Sequence, residues 1–124
     1  MSGARPAFRL TRRAERDFAD ILTETVQRFG RIQFEAYRAL LTTAIEAVAA
    51  MPQRPGSRPR DELARNVRTF HAALVGKRMS AARHVIVYRV GADGVVEILR
   101  LLHDSMDVRR HAVIPMESDD ATPS

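Results

Sequence analysis

The sequence contains no cysteine, so neither a disulfide framework nor a thiolate zinc site is open to it, and a cytoplasmic setting is the expectation. It has no apolar run of the roughly 18 residues that a membrane-spanning helix needs, and no membrane partner is expected. Residues Met1 to Leu10 lack the apolar core of a secretory signal. Lysine is nearly absent, since every base except Lys77 is arginine. Acidic residues are missing between Leu63 and Ala92, a stretch that holds Arg65, Arg68, Lys77, Arg78, Arg83 and Arg89. On a chain of net charge +5, such a one-sign run creates a positive field over part of the surface, and an acidic macromolecular partner is the expectation.

A chain of 124 residues suits one domain with one core. The reading is a domain over residues 1–113 and a polar, acidic tail over 114–124, expected to be disordered. Ala7 to Leu10 is a strand candidate, and Thr11 is a natural helix N-cap. From there Ala14, Phe18, Ile21, Leu22, Thr25 and Phe29 recur on one helical face. Arg13/Asp17, Arg16/Asp20 and Glu24/Arg28 stand at pairing distance on the other. Gly30 closes this helix. A second follows from Arg31 to Met51, with Phe34, Tyr37, Leu41, Ala44, Ile45 and Val48 as its stripe and Pro52 as its stop.

Pro52 to Pro59 reads as a loop. Extended segments follow over Val67 to Ala73, Arg83 to Val90 and Val95 to Leu102, the last two joined by the Gly91–Gly94 turn. The expected fold class is therefore α+β: an N-terminal strand, an antiparallel αα-hairpin, then a three-stranded antiparallel meander with the helices on one sheet face. In that arrangement His84, Ile86, Tyr88 and Val90 lie opposite Val85 and Val87, and Val96, Ile98 and Leu102 lie opposite Leu99 and Leu101. Both faces are apolar, while the helices cover one. The other is expected to receive a protein partner, or else to be covered by the long hairpin, the tail or self-association.

These blocks resemble the ParE branch of the RelE/ParE toxin superfamily. The resemblance rests on Phe8 to Asp17, Gly30 to Tyr37, Arg58-Pro59-Arg60-Asp61-Glu62-Leu63 followed by Arg68-Thr69-Phe70, and Arg83 to Val90. It continues through Ile98, Leu102-His103 and Met106 to His111, so that it covers about Ala7 to Val113. One departure is a longer stretch between Phe70 and His84, read as an extended hairpin with a basic tip at Gly76-Lys77-Arg78.

The resemblance implies a toxin that poisons DNA gyrase, neutralised in a hetero-oligomer with a ParD-like ribbon-helix-helix antitoxin. Promoter DNA would be reached only through the antitoxin. It implies an antitoxin surface at Phe29, Tyr37, Arg68, Arg83, Val85, Val87, Leu99 and Leu101, and a target surface at His103, Met106, Asp107, Arg109, Arg110 and His111. No catalysis is expected. The alternative is a RelE-like ribosome-dependent mRNA endoribonuclease, with His103 as acid or base and Arg83, Arg89 or Arg100 stabilising the phosphorane. A lone histidine with loosely placed arginines forms no constellation, and the lysine-rich set of ribosome-dependent relatives is missing. His71, His84, His103 and His111 fall on separate segments without ligand spacing. No metal or cofactor is expected.

Overall fold

In the computed structural model, the described residues are 7–76 and 82–111. They form strand β1 (Phe8–Leu10), the helical span α1 (Arg12–Ala50), strands β2 (Arg58–Pro59), β3 (Val67–His71), β4 (His84–Val90) and β5 (Val96–His103), and the short helix α2 (Val108–His111). Ala72–Val75 is a single 3₁₀ turn, so the segment after β3 leaves the sheet instead of lengthening it. The basic tip at residues 77–81 and the tail at 112–124 lie outside the described residues.

The class is α+β, but the sheet is five-stranded and mixed, in the order β1-β5-β4-β3-β2. This corrects the expected three-stranded antiparallel sheet. The N-terminal strand does not stand apart: Phe8, Arg9 and Leu10 pair parallel with Val96, Glu97 and Ile98. Parallel neighbours need a long connection, which the chain from Thr11 to Val95 supplies. At the opposite edge, Arg58 and Pro59 pair antiparallel with Thr69 and Arg68, and Pro59 blunts that edge because it has no N–H to donate.

Helical residues run from Arg12 to Ala50 without a loop, broken only at Gly30 (φ 87°, ψ −176°). A straight helix of 39 residues would be about 58 Å long, roughly twice the length of an eight-residue strand. The break lets both arms reach the sheet. Asp17 of the first bonds to β5, and Tyr37 of the second bonds to His84 of β4. Ala14, Leu41, Ala44, Ile45 and Val48 join Phe70, Ile86, Tyr88, Val96, Ile98 and Leu101 in one buried cluster. Thr11 fastens the start of α1 to β5. Its side chain accepts from Ala14 N–H and donates to Leu99 O at 3.0 Å, and its N–H donates to Ile98 O.

A bulge decides which leucines face the helices. Val87 pairs with Arg100 but Tyr88 with Ile98, so Leu99 is an extra residue on β5. Leu101 therefore joins the helix-side cluster, while Leu102 turns to the other face. That reverses the expected placement of both. On the second face Val67, Val87, Leu99 and Leu102 pack under Leu63, Ala64 and Val108. The loop after Arg60 and the start of α2 thus cover apolar surface that the strand pattern had left open.

Candidate functional site

Among the described residues the two most exposed large apolar side chains, Phe29 at 65% and Ile32 at 83%, instead flank the break in α1, with Val26 at 40% nearby in the chain. Beside this tip lies a cleft of about 430 Å³ between the two arms and the ends of β4 and β5. Ile21, Thr25, Phe29 and Tyr37 contribute its helical wall, and Arg83, His84 and His103 its strand wall. Amphipathic periodicity brings Ile21 and Tyr37 onto the sheet-facing stripe, and the bulge in β5 points His103 to the helix side, next to His84.

A hydrogen-bonded chain organises the strand wall. The Arg83 backbone N–H donates to the Tyr37 hydroxyl at 3.0 Å, and that hydroxyl lies 2.6 Å from His84 Nδ1. With Tyr37 as the donor, His84 carries its proton on Nε2. Burial, followed by the neighbouring His103, pushes its pKa down to about 4, so the ring is neutral at pH 7. Burial also raises the Tyr37 pKa, which keeps its hydroxyl protonated. The His84 and His103 rings meet edge to face at 5.4 Å. His103 Nδ1 accepts from Ser105 N–H at 3.1 Å. Asp104 receives His71 Nε2–H at 3.0 Å, while His71 Nδ1 accepts from Ala73 N–H. The His71 bond holds the Asp104 carboxyl below its usual range.

A general base needs an imidazole lone pair aimed at substrate, but the Nδ1 atoms of His71 and His103 accept backbone N–H groups and that of His84 is bonded to the Tyr37 hydroxyl. Arg100, one of the candidate cations, is committed elsewhere: it holds Asp17 through Nε at 2.8 Å and a second nitrogen at 3.1 Å. Asp17 also accepts Leu101 N–H. The pair therefore closes the part of the β5 edge that β1 does not reach, and Asp17 serves the sheet rather than the expected partner Arg13. Among the described residues no group of three or more His, Cys, Asp or Glu is placed to hold a metal, and no helix is long and apolar enough to cross a membrane.

The remaining expected site residues are dispersed. Phe29 is exposed, while Tyr37 and Val85 are half-buried. Val87 and Leu99 are buried under the second-face cover, and Leu101 lies beneath the helices. Arg68 is tied to Ser57 through Nε at 2.6 Å. Ser57 in turn lies 2.8 Å from the Tyr88 hydroxyl, so Arg68 helps to satisfy a buried polar group. Met106, Asp107, Arg109 and Arg110 are exposed around α2. His111 ends that helix. Sequence reasoning passed over His84 as a site residue. Its signal was a polar residue at an inward strand position, facing a helix that carries a tyrosine.

The family model described as the ParE toxin of the type II toxin-antitoxin system, parDE, matches residues 8–108. The chain belongs to the ParE toxin family. Toxin ParE1 of Caulobacter vibrioides is 39% identical over 104 residues, which is 84% of this chain and 95% of that protein. Toxin ParE1 of Mycobacterium tuberculosis is 32% identical over the same shares of each chain. A solved structure described as the chromosomal ParDE TA system from P. aeruginosa superposes with a TM-score of 0.61 and 17% identity, covering 80% of this chain and 96% of that one. At that identity the superposition establishes the fold. This ParE-family chain is thus the toxin component of a ParDE type II toxin–antitoxin system.

Proposed function

We propose that this ParE-family toxin inhibits DNA gyrase, thereby blocking replication and growth, and that it acts in the cytoplasm until a cognate ribbon-helix-helix antitoxin neutralises it. The observation that carries the reading is the family match over residues 8–108, joined to a site whose His84 and His103 Nδ1 atoms are already hydrogen-bonded and whose Arg100 is held by Asp17. A protein that works by occupying its target needs surface, not a catalytic constellation. The antitoxin arm is assigned to the exposed tip and cleft at Phe29, Tyr37 and Arg83, and onward to Val85 and Arg68. Val87, Leu99 and Leu101 support that surface from beneath. The target surface is assigned to His103, Met106, Asp107, Arg109, Arg110 and His111, and operator DNA is engaged only through the antitoxin.

Purified toxin titrated into a gyrase supercoiling assay is expected to block supercoiling, and to leave messenger RNA intact on translating ribosomes. Cleavage of ribosome-bound messenger without any effect on supercoiling would replace this reading with the endoribonuclease.

A further inference from the structure

The cleft beside the α1 break has walls of opposite character. Ile21 and Phe29 offer apolar surface on one side, while Arg83, His84 and His103 line the other. The Ser105 N–H bond to His103 Nδ1 leaves that ring's proton on Nε2, and with Tyr37 as donor the His84 proton lies on Nε2 as well. Among the described residues neither Nε2 has a hydrogen-bond partner, and neither is a buried unsatisfied atom, so both N–H groups open to solvent. The Arg83 side chain is 68% exposed, with Asp104 no nearer than 3.9 Å. Three donors without tight partners thus line one side of a cleft whose other side carries Ile21 and Phe29 together with the Glu24–Arg28 pair.

We propose that this wall is a carboxylate socket, filled by an acidic side chain of the antitoxin arm whose neighbouring apolar residue rests on Ile21 and Phe29. The inference builds on the antitoxin reading above and adds the chemistry of the docking side chain. It also moves His103 from the target surface to the antitoxin surface. Charge selects the occupant. Glu24 lines the cleft itself and the adjoining groove adds Asp17 and Asp20; these carboxylates repel the continuous phosphates of a nucleic acid but leave room for one carboxylate seated among N–H donors. Glu24 itself is neutralised by Arg28 at 3.0 Å. The acidic C-terminal tail of this chain is the less suitable source of a carboxylate. It leaves from α2, whose Val108 packs on the sheet face away from the helices.

The test has two arms. In the first, the full-length chain with ¹⁵N-labelled histidine is titrated with 4-phenylbutyrate, and with 4-phenylbutanamide as its uncharged counterpart. The carboxylate is expected to shift the Nε2 resonances of His84 and His103, and to bind about tenfold more tightly than the amide. In the second, wild type, Arg83→Gln and His103→Gln are co-expressed with the antitoxin, and the dissociation rates of the complexes are measured. Each variant should dissociate roughly tenfold faster with an unchanged melting temperature for the toxin alone. Arg83 is exposed enough that its replacement spares the fold.

Equal binding of acid and amide, or antitoxin complexes indifferent to both substitutions, would overturn the socket while leaving the antitoxin reading intact. Tighter 4-phenylbutyrate binding after deletion of residues 112–124 would assign the socket to the chain's own tail and overturn the proposal. Failure of the wild-type toxin to bind any antitoxin would overturn the functional reading, and the proposed occupant with it.

Discussion

His84 sits between Tyr37 and His103 with its pKa pushed from 6.5 down to about 4. Protonation therefore favours the unfolded chain, where the ring titrates near its ordinary value. The stability this residue contributes is complete above about pH 6.5 and declines as pH falls towards 4. Screening of its partly exposed ring limits the loss to about 1–2 kcal/mol. Urea midpoints should fall between pH 7 and pH 4.5 in the wild type, and less steeply in His84→Gln. A wild-type midpoint that holds constant across that window would show that the buried ring is protonated without cost. Glu97 poses a different problem. It is 2% exposed, in the middle of a sheet, between Arg89 at 3.1 Å and Arg9 at 3.9 Å. Breaking such a buried pair costs more than replacing it outright. Glu97→Gln is expected to lose about 3–5 kcal/mol in denaturant unfolding, a large share of a small domain's total. Pairing Glu97→Leu with Arg89→Met should recover much of that loss, and a purely additive double mutant would refute the coupling.

Gly30 shows how a single position shapes an element. Its φ of 87° with ψ of −176° lies in a region that is essentially confined to glycine. A Cβ there would meet nothing within 4 Å, so any penalty comes from backbone strain and not from crowding. Gly30→Ala is expected to destabilise the chain by about 1–3 kcal/mol in thermal unfolding. An unchanged melting temperature would mean that the break forms for some reason other than glycine's freedom. This element was legible in advance because its apolar stripe repeats over many turns and glycine punctuates it. The hairpin of β4 and β5 was legible for a similar reason, from two apolar runs around Gly91 and Gly94. Two features were hidden. The parallel pairing of β1 with β5 joins residues far apart in the chain and leaves no local pattern. The bulge falls in Ile98-Leu99-Arg100-Leu101-Leu102, where nearly every residue is apolar and an alternation of two cannot report a shift of one. Burial of the second face was hidden too, because Leu63, Ala64 and Val108 come from segments that read as loop and tail. At the site, Tyr37, Arg83 and His103 were picked out singly. The cleft that unites them, and the role of His84 within it, depend on tertiary contacts between α1 and the strand ends.

Over the whole molecule, three regions stand apart: the helix tip and its cleft, the covered second sheet face, and the exposed arginines of α2. If one end of the chain is offered to the antitoxin and another to gyrase, substitutions should separate the two interactions. Arg109 and Arg110 are the most informative place to try. Both are exposed, and their backbone N–H groups are held by Asp107, through its side chain for Arg109 and its carbonyl for Arg110. Their guanidinium groups can make charge-assisted bonds to an acidic target surface. Truncation after Leu102 is a poorer experiment, because it removes Val108 from the cluster of Val67, Val87, Leu99 and Leu102 and so confuses unfolding with loss of contact. The double substitution Arg109→Ala with Arg110→Ala keeps Val108 in place. It is expected to fold, to form the antitoxin complex with unchanged affinity, and to inhibit gyrase supercoiling roughly tenfold or more weakly, with growth inhibition relieved in parallel. Raising the salt concentration should weaken the wild type towards the variant, since exposed charges are screened within about 10 Å. If the double variant inhibits gyrase as well as the wild type does, these arginines are merely solvated. The target surface must then be sought at the other large exposed feature, the Phe29 and Ile32 tip, where toxin action and antitoxin binding would compete for the same residues.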